Sequence, residues 1–270
     1  SINKTRLIKK IKYADGIILG LQPFNKTIIN EAKKLKIIAK FGVGMDNVDI
    51  KECRKRKIKI NRAVGCNSLS VAEVVISNSI NLIRRINENH YLMTKGIWKQ
   101  INGNDLYEKK FGIIGLGKIG KEVAKRLLPF KCKIYANDIK IDQNFCKRYK
   151  IIKSSKNEIF KNCDIISFHT PLTSLTENMI NNKSIDLLKR NSILINTARG
   201  KIIDLKKINK KIKKKKIKLY LDVYPEEPFK PSKMFDPSKN IFSSHITGTS
   251  LEAIERIGMK NISDLYNFLK

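Results

Sequence analysis

The stretch that decides the fold reads KFGIIGLGKIGKEVAKRL and runs from Lys110 to Leu127. A short apolar run of strand type leads into a glycine turn, and apolar residues at helical spacing follow, which predicts strand, turn and helix. In such a turn Gly115 allows a sharp change of direction, Gly117 lets the backbone approach a pyrophosphate, and Gly120 lets the helix pack closely on the strand. The stretch therefore predicts a dinucleotide-binding unit.

The residues after the turn indicate which dinucleotide is bound. The new helix would hold the pyrophosphate on the backbone N–H groups of its first residues, Lys118, Ile119 and Gly120. Asp138 follows a second strand-like run and lies 18 residues after Gly120 (138 − 120), close to where a carboxylate accepts both ribose hydroxyls of NAD. A carboxylate there would repel a 2′-phosphate, and no Arg directly follows it, so we expect NAD rather than NADP.

The charge of the chain is strongly positive, with 56 Lys and Arg against 24 Asp and Glu, a net +32. Nucleic acid or another acidic surface would be attracted by such a charge. The densest lysine run, Lys206–Lys218, carries Ile208 and Ile212 four residues apart, which predicts a helix with one buried face and solvated lysines. No zinc-finger spacing, aromatic RNA-binding strand or basic zipper accompanies it, so we expect no nucleic-acid partner.

The cysteines and the apolar runs indicate in which cell compartment the protein is expected. Five scattered cysteines include no CxxC pair, which favours reduced thiols over disulfides or a metal site. No stretch of about 18 uncharged apolar residues predicts a membrane-spanning helix. We therefore expect a cytoplasmic protein without a membrane partner.

The N-terminal part alternates short strands and helices. Strands are predicted at Ile17–Leu19, Lys36–Ala39 and Ile58–Ile60, and a helix over Thr27–Leu35. The loop Gly42–Asp49 follows the second of these strands. It has two interpretations, an anion contact through its backbone N–H groups or a purely structural turn. A capping box at Ser70–Glu73 predicts the start of an apolar helix that continues through Ile86, and the polar stretch Gln100–Lys110 after Trp98 predicts a surface loop.

Four apolar runs after Asp138 end in polar residues. His169 and Thr170 follow the run Cys163–Phe168, and Arg199 follows Ser192–Asn196. Asp222 and Glu227 follow Lys218–Leu221, and His245 follows Ile241–Ser244. Parallel strands place such exits at one edge of the sheet, outside their carboxyl ends. We therefore expect these side chains to face the crevice that also holds the glycine turn.

Three of the exit residues supply what an NAD enzyme acting on a ketone or an alcohol needs. His245 would be the acid or base for the oxygen, and Arg199 can clamp a carboxylate with two hydrogen bonds. Glu227 near His245 would raise the pKa of the imidazole. His169 is the rival base, whereas His90 falls in a predicted polar loop.

Together these motifs resemble the D-2-hydroxyacid dehydrogenase family from about Asp15 to the C-terminus. The resemblance rests on Gly115–Gly120, Asn196–Gly200, Asp222–Tyr224 with Glu227-Pro228, and His245. It implies His245 as general acid/base, Glu227 as its partner and Arg199 for substrate binding and catalysis. It also implies cofactor contacts near Thr170, Thr197, Ala198, Asp222 and Gly248, and substrate contacts at Lys40, Val43 and Gly44, where Lys40 stands in place of a common Arg.

The resemblance also implies an α/β fold of two domains. We expect a Rossmann-type NAD-binding domain over 67–249 and a smaller flavodoxin-like substrate domain from 1–66 and 250–270, with a crevice that closes on substrate. The first strand and helix of the smaller domain would lie upstream of Ser1. The resemblance further implies a homodimer formed through the nucleotide domain, and we expect no C-terminal regulatory domain.

Within the family, Gly42–Asp49, Asn67–Glu73 and Trp98 resemble members that oxidise 3-phosphoglycerate to 3-phosphohydroxypyruvate, the entry to serine biosynthesis. Gly20-Leu21 departs from the Arg-Ser type pair that such members often carry. A glyoxylate/hydroxypyruvate or D-lactate type enzyme is therefore an alternative. A second alternative is an NAD-sensing binding protein of corepressor type. The complete set of Arg199, Glu227 and His245 argues against this alternative.

Overall fold

The computed structural model describes residues 4–229 and 236–270. Within these residues the helices are α1 (Lys4–Ile11), α2 (Lys26–Glu31), α3 (Ile50–Lys55), α4 (Ser68–Arg84), α5 (Ile86–Thr94), α6 (Lys118–Leu127), α7 (Gln143–Arg148), α8 (Lys156–Asn162), α9 (Ser184–Leu187), α10 (Leu205–Lys215) and α11 (Leu251–Leu269). The strands are β1 (Gly16–Leu19), β2 (Ile37–Lys40), β3 (Lys59–Arg62), β4 (Lys110–Ile114), β5 (Lys133–Asn137), β6 (Ile152–Lys153), β7 (Ile165–Phe168), β8 (Ile193–Asn196), β9 (Lys218–Leu221) and β10 (Ile241–Phe242). The predicted α/β class with parallel sheets is confirmed.

The chain forms two compact units, one from Ser1–Asn67 with Thr249–Lys270 and the other from Ser68–Gly248. The larger unit holds a seven-stranded parallel sheet in the order β10-β9-β8-β7-β4-β5-β6. The order changes direction between β4 and β7, which are neighbours in the sheet although β5 and β6 come between them in the chain. Such a switch point opens a crevice outside the carboxyl ends of the strands.

Helices cover both faces of the larger sheet because its central strands are apolar on both sides. All four residues of β7 and all four of β8 are buried, the pattern of a parallel strand covered on both faces. One core packs Phe160 of α8 and Ile208 of α10 against one face. The other core packs Val75 of α4 and Val123 of α6 against the opposite face.

The lysine-rich segment forms α10, as the spacing of its isoleucines predicts. Ile208 and Ile212 are buried in the core, whereas Lys206, Lys207, Lys213 and Lys214 are exposed. The run of lysines is therefore the solvated face of an amphipathic helix.

The smaller unit is built on a parallel sheet in the order β1-β2-β3. Its core includes Phe24, Ile29, Ile38 and Cys53. The helix α11 belongs to this unit, where Leu265 and Leu269 lie against Gly16 of β1.

The structure corrects four predictions of local structure. The helix predicted to start at a Ser70–Glu73 capping box begins at Ser68, so Ser70 lies inside α4 and is buried. That helix ends at Arg84, because Arg85 adopts a left-handed conformation with φ of 59°. His90 lies on α5 rather than in a loop, and the helix predicted over Thr27–Leu35 ends at Glu31.

The predicted loop around Trp98 is confirmed up to Lys109, with no helix or strand between Lys95 and Lys109, whereas Lys110 already begins β4. All five cysteines carry free thiols, as predicted. Among residues 4–229 and 236–270, we find no helix that combines the length and the apolar character needed to cross a bilayer.

Candidate functional site

The glycine turn connects β4 to α6 at the switch point of the larger sheet. Gly115 has a φ of +97°, a left-handed conformation that glycine adopts most readily. A Cβ on Gly120 would lie 2.2 Å from the carbonyl oxygen of Gly115, so the close approach of helix and strand requires glycine there. A Cβ on Gly117 would meet nothing within 4 Å, and the turn is therefore open where a ligand would approach.

The first turn of α6 has backbone donors that no side chain caps. Gly117 is its N-cap residue and makes no side-chain cap hydrogen bond. The N–H groups of Lys118, Ile119 and Gly120 thus begin a ten-residue helix at its positive end, an arrangement that suits a pyrophosphate.

Asp138 lies beside the turn, directly after β5. Its Oδ2 accepts a hydrogen bond from the backbone N–H of Leu116 at 2.7 Å, and its Oδ1 accepts one from the N–H of Lys140 at 2.9 Å. Because each carboxylate oxygen can accept more than one hydrogen bond, ribose hydroxyls can still bind here. The carboxylate in this position also braces the glycine turn.

The exits of β7 and β8 hold buried polar atoms to which the described residues offer no hydrogen-bond partner. They are Oγ1 of Thr170, Oγ1 of Thr197 and both ring nitrogens of His169. The segment His169-Thr170 lies against the glycine turn, since the N–H of His169 donates to Ile114 O at 2.7 Å. Buried polar groups without partners are costly in a folded protein, so these atoms indicate a ligand that pairs with them.

His169, the rival candidate, is poorly suited to act as the general base. Burial lowers the pKa of its imidazole to about 3, so the ring is neutral at physiological pH and does not gain a proton readily.

His245 and Glu227 form the pair that the sequence predicts. The Nδ1 atom of His245 lies 2.8 Å from Oε2 of Glu227. The other carboxylate oxygen, Oε1, accepts the backbone N–H of Tyr224 at 3.0 Å. An ionised carboxylate can only accept, so this contact places a proton on Nδ1 and leaves Nε2 of His245 as the nitrogen that exchanges one.

Asp222, at the end of β9, is fully buried in this structure. Its carboxylate accepts hydrogen bonds from Ser243, Ile246 and Thr247, the residues that flank His245. The cofactor contact implied for Asp222 stays a prediction, and the structure places its carboxylate under the loop that carries the histidine.

Arg199 follows β8 in a tight turn that packs against the Glu227 loop. The amide of Asn196 donates to Arg199 O at 2.9 Å and accepts the N–H of Ala198 at 3.1 Å, which fixes the turn. A Cβ on Gly200 would lie 1.9 Å from the carbonyl carbon of Tyr224, so the Arg199-Gly200 turn and the loop that ends in Glu227 are in direct backbone contact. Arg199 is partly exposed.

The three residues predicted to bind substrate apart from Arg199 belong to the smaller unit. Lys40 ends β2 and is only 2% exposed, and its ammonium donates to Gly20 O at 2.8 Å and to Phe41 O at 3.5 Å. Val43 and Gly44 lie in the partly exposed loop after that strand. Asn47, from the same loop, also donates to Gly20 O, at 3.1 Å.

Sequence reasoning missed Tyr220, Ser243 and Thr247, which surround Asp222. The hydroxyl of Tyr220 lies 2.7 Å from Oγ of Ser243, and Oγ1 of Thr247 lies 2.7 Å from Asp222 Oδ2. The available signal was the hydroxyl-rich sequence Ser243-Ser244-His245-Ile246-Thr247 around the predicted base. Gly248, a predicted cofactor contact, follows Thr247 directly.

The residues at this edge fit a bound NAD. The open space at Gly117, the helix start without a side-chain cap, and the unpaired atoms of Thr170 and Thr197 supply room, backbone donors and side-chain partners. The fold and this edge together define a dinucleotide-binding α/β oxidoreductase with a histidine–carboxylate pair at the same edge of the sheet.

Comparison with known proteins specifies the family. The model of the D-isomer specific 2-hydroxyacid dehydrogenase NAD-binding domain matches residues 76–247, more than half of the chain. The chain therefore belongs to the D-isomer specific 2-hydroxyacid dehydrogenases, and its cofactor is NAD.

Individual relatives differ in the acid that they act on. A D-3-phosphoglycerate dehydrogenase of Methanocaldococcus jannaschii is 33% identical over 262 residues, which cover 95% of this chain and 50% of that protein. A hydroxypyruvate reductase of Thermotoga maritima is 32% identical over 276 residues, covering 99% of this chain and 89% of that protein. The chain thus spans half the length of the first relative and most of the second.

A solved structure shares the fold and contains the cofactor. The D-lactate dehydrogenase of Aquifex aeolicus, in complex with NAD and lactic acid, superposes with a TM-score of 0.87 at 26% identity. The match covers 97% of this chain and 85% of that one.

Proposed function

We propose that the chain is an NAD-dependent dehydrogenase that interconverts 3-phosphoglycerate and 3-phosphohydroxypyruvate, the first step of serine biosynthesis. The observation that carries the proposal is the contact of 2.8 Å between His245 and Glu227, on the sheet edge that also carries the glycine turn. A proton-exchanging imidazole beside a dinucleotide site is what oxidation of a secondary alcohol requires.

In this mechanism His245 exchanges the proton of the substrate oxygen through Nε2. Glu227 holds the imidazole at Nδ1 and stabilises the imidazolium that forms when Nε2 takes the hydroxyl proton. Glu227 is itself held by the N–H of Tyr224, so the ring has a fixed orientation before substrate arrives. Bound NAD supplies the acceptor for the hydride that leaves C2.

Arg199 supplies the positive charge that a 2-hydroxy acid needs. Its guanidinium can form two parallel hydrogen bonds with the substrate carboxylate. The packing of Gly200 against Tyr224 keeps this turn beside the loop of Glu227, so the cation and the acid–base pair belong to one rigid region of the larger unit.

The choice of 3-phosphoglycerate rests on the sequence. The loop Gly42–Asp49 and the segment Asn67–Glu73 resemble phosphoglycerate dehydrogenases, and the relative from Methanocaldococcus jannaschii bears that name. A net charge of +32 would also attract a substrate with several negative charges.

One observation favours a second candidate, reduction of hydroxypyruvate or glyoxylate. Lys40, the cation predicted to bind the phosphate or carboxylate, is buried and donates to Gly20 O at 2.8 Å. An ammonium that already donates to two backbone carbonyls has fewer N–H groups left for a phosphate, and an unphosphorylated acid would not need it. The hydroxypyruvate reductase of Thermotoga maritima is a relative of this kind by name.

A substrate panel separates the candidates. NADH oxidation would be followed with phosphohydroxypyruvate, hydroxypyruvate, glyoxylate and pyruvate. We expect kcat/KM for phosphohydroxypyruvate to exceed that for hydroxypyruvate by at least about tenfold, which corresponds to a difference of about 1.4 kcal/mol in transition-state binding free energy. The reverse preference would establish the second candidate. NAD binding without turnover of any of these acids would favour a sensing protein.

We also propose that the larger unit pairs with a second copy of the chain. Every residue of α5 is at least partly exposed, and Ile86, Tyr91, Met93 and Ile97 present apolar surface next to Trp98, which is 83% exposed. Exposed apolar surface of this kind is typical of an interface between protein chains. Sedimentation equilibrium should give a dimer, and Ile97→Asp with Trp98→Asp should give a monomer. A monomeric wild-type protein at micromolar concentration would contradict the proposal.

A further inference from the structure

The backbone that carries His245 is in an unusual conformation. His245 has a φ of 59°, in the left-handed region that costs a non-glycine residue free energy and persists only where neighbouring contacts impose it. Since the direction of the imidazole depends on this backbone, the contacts that impose it also determine where Nε2 lies.

Asp222 makes those contacts with both its carboxylate and its carbonyl. Its carbonyl oxygen accepts the N–H of His245 at 2.8 Å. Its Oδ1 accepts the N–H of Ile246 at 2.8 Å, and its Oδ2 accepts the N–H of Thr247 at 3.1 Å. One residue therefore holds three successive backbone N–H groups, beginning with that of the histidine.

Two hydroxyl groups complete the set of donors on the Asp222 carboxylate. Ser243 donates to Oδ1 at 2.6 Å and Thr247 donates to Oδ2 at 2.7 Å. A carboxylate offers about four acceptor positions, and here four donors use them. Asp222 is 0% exposed, so these four hydrogen bonds take the place of those that water would make with the carboxylate.

Tyr220 extends the chain of hydrogen bonds by one step. Its hydroxyl lies 2.7 Å from Oγ of Ser243. Because Ser243 donates its own proton to the carboxylate, Tyr220 is the donor in this contact. Burial raises the pKa of the Tyr220 phenol above its ordinary value, so the phenol keeps its proton and remains a donor.

We propose that Tyr220, Ser243 and Asp222 form a positioning relay for His245, in which hydrogen bonds from Tyr220 to Ser243 and from Ser243 to Asp222 hold the carboxylate against the backbone of residues 245–247. None of the three needs to touch the substrate in this role. The inference rests on the proposed function of His245 as the acid and base of the reaction.

The relay predicts a loss of turnover without a loss of binding. Tyr220→Phe and Ser243→Ala should each lower kcat by about tenfold, because a small displacement of a catalytic group is enough for such a loss. The KM values for NADH and for the keto acid should stay within about twofold of wild type. Ser243→Thr keeps the hydroxyl and should restore most of the activity.

The matched control is Tyr149→Phe. Tyr149 packs against the same core as Tyr220 but lies next to α7, where its ring contacts Phe145. Removal of its hydroxyl should change neither kcat nor KM. Equal losses in Tyr149→Phe and Tyr220→Phe would overturn the relay and indicate a general effect on the core.

A second measurement does not depend on activity. Amide hydrogen exchange at Ile246 and Thr247, in the protein without NAD, should accelerate at least about tenfold in Tyr220→Phe and in Ser243→Ala, and not in Tyr149→Phe. Unchanged exchange in Tyr220→Phe would overturn the relay even if Ser243→Ala failed to fold.

The two measurements also separate this inference from the proposed function. If the wild type reduced none of the keto acids, the proposed function would fail while amide exchange still decided whether the relay exists. If exchange accelerated in an active enzyme but kcat did not fall, the hydrogen bonds would be structural and the positioning role would be overturned.

Discussion

Two neighbouring parts of one sheet edge differ in how completely their polar groups are paired. At the exits of β7 and β8, Thr170, Thr197 and His169 hold buried polar atoms without a partner among the described residues. At the exits of β9 and β10, Asp222, Ser243 and Thr247 satisfy one another, and His245 is paired with Glu227. The first part is therefore completed only by a ligand, whereas the acid–base part is already assembled in the protein alone.

The difference has a physical reason. A cofactor that binds and leaves needs polar groups that it alone satisfies, and these lower the stability of the free protein. An acid–base pair must be oriented before the reaction, since reorganisation during the reaction would raise the barrier.

Replacement of the base should abolish turnover and leave cofactor binding intact. In His245→Ala, kcat should fall by about 10²- to 10⁴-fold, the usual contribution of a general acid or base. Steady-state kinetics with the best keto acid would measure the fall, and quenching of protein fluorescence by NADH would measure the dissociation constant. Wild-type turnover in His245→Ala would contradict the role of His245 as the base. The kcat of Glu227→Gln should lie between those of the wild type and His245→Ala, because glutamine keeps the shape of glutamate but lacks its charge.

Two glycine substitutions should separate folding from binding. Gly200→Ala puts a Cβ 1.9 Å from the Tyr224 carbonyl carbon, so we expect a loss of at least about 3 kcal/mol in the free energy of unfolding. Gly117→Ala meets no atom within 4 Å and should change stability by less than about 1 kcal/mol.

For NAD affinity we expect the larger effect from Gly117→Ala. This substitution should weaken NAD binding at least about tenfold, because its methyl group occupies the space that the pyrophosphate approaches. Urea unfolding and NADH titration would be compared for both variants. A Gly117→Ala protein with normal NAD affinity would show that the ligand does not use this opening.

His169 should make stability depend on pH. Burial lowers its pKa to about 3 from an ordinary value of 6.5, so between these values the unfolded state binds a proton that the folded state does not. The contribution of His169 is therefore complete above pH 6.5 and declines as the pH falls toward 3, with a slope of up to about 1.4 kcal/mol per pH unit.

Urea unfolding between pH 4 and pH 7 would measure this slope. His169→Gln should flatten it, and His90→Gln should not, because His90 is exposed on α5. Identical slopes in both variants would mean that acidic residues alone cause the pH dependence.

The sequence predicted the glycine turn and the four strand exits because each has a local signal. Gly115, Gly117 and Gly120 have a fixed spacing, and each exit follows a short apolar run. The pairing of His245 with Glu227 was also predictable, since parallel strands bring their exits together.

Other features depend on contacts that no local pattern encodes. The pattern of a capping box occurs at Ser70 and Glu73, but the chain is already helical from Ser68, and the box that forms is at Ser155 and Glu158. The anion contact of Lys40 stays a prediction, and no local pattern shows that its ammonium also donates to a carbonyl 20 residues earlier in the chain. Likewise, the four donors on Asp222 come from residues 21–25 positions away, and only the fold reveals them.

A comparison of Thr197→Val, after β8, with Thr247→Val, after β10, tests both parts of the sheet edge with the same replacement of a hydroxyl by a methyl group. Thr197→Val removes a hydroxyl without a partner, so the free energy of unfolding should stay the same or rise by up to about 1 kcal/mol while NAD binds about tenfold more weakly. Thr247→Val removes a donor from a buried carboxylate, so stability should fall by about 1.5–3 kcal/mol. Equal destabilisation by both variants, with unchanged NAD affinity in Thr197→Val, would show that the hydroxyl of Thr197 is not kept for the cofactor.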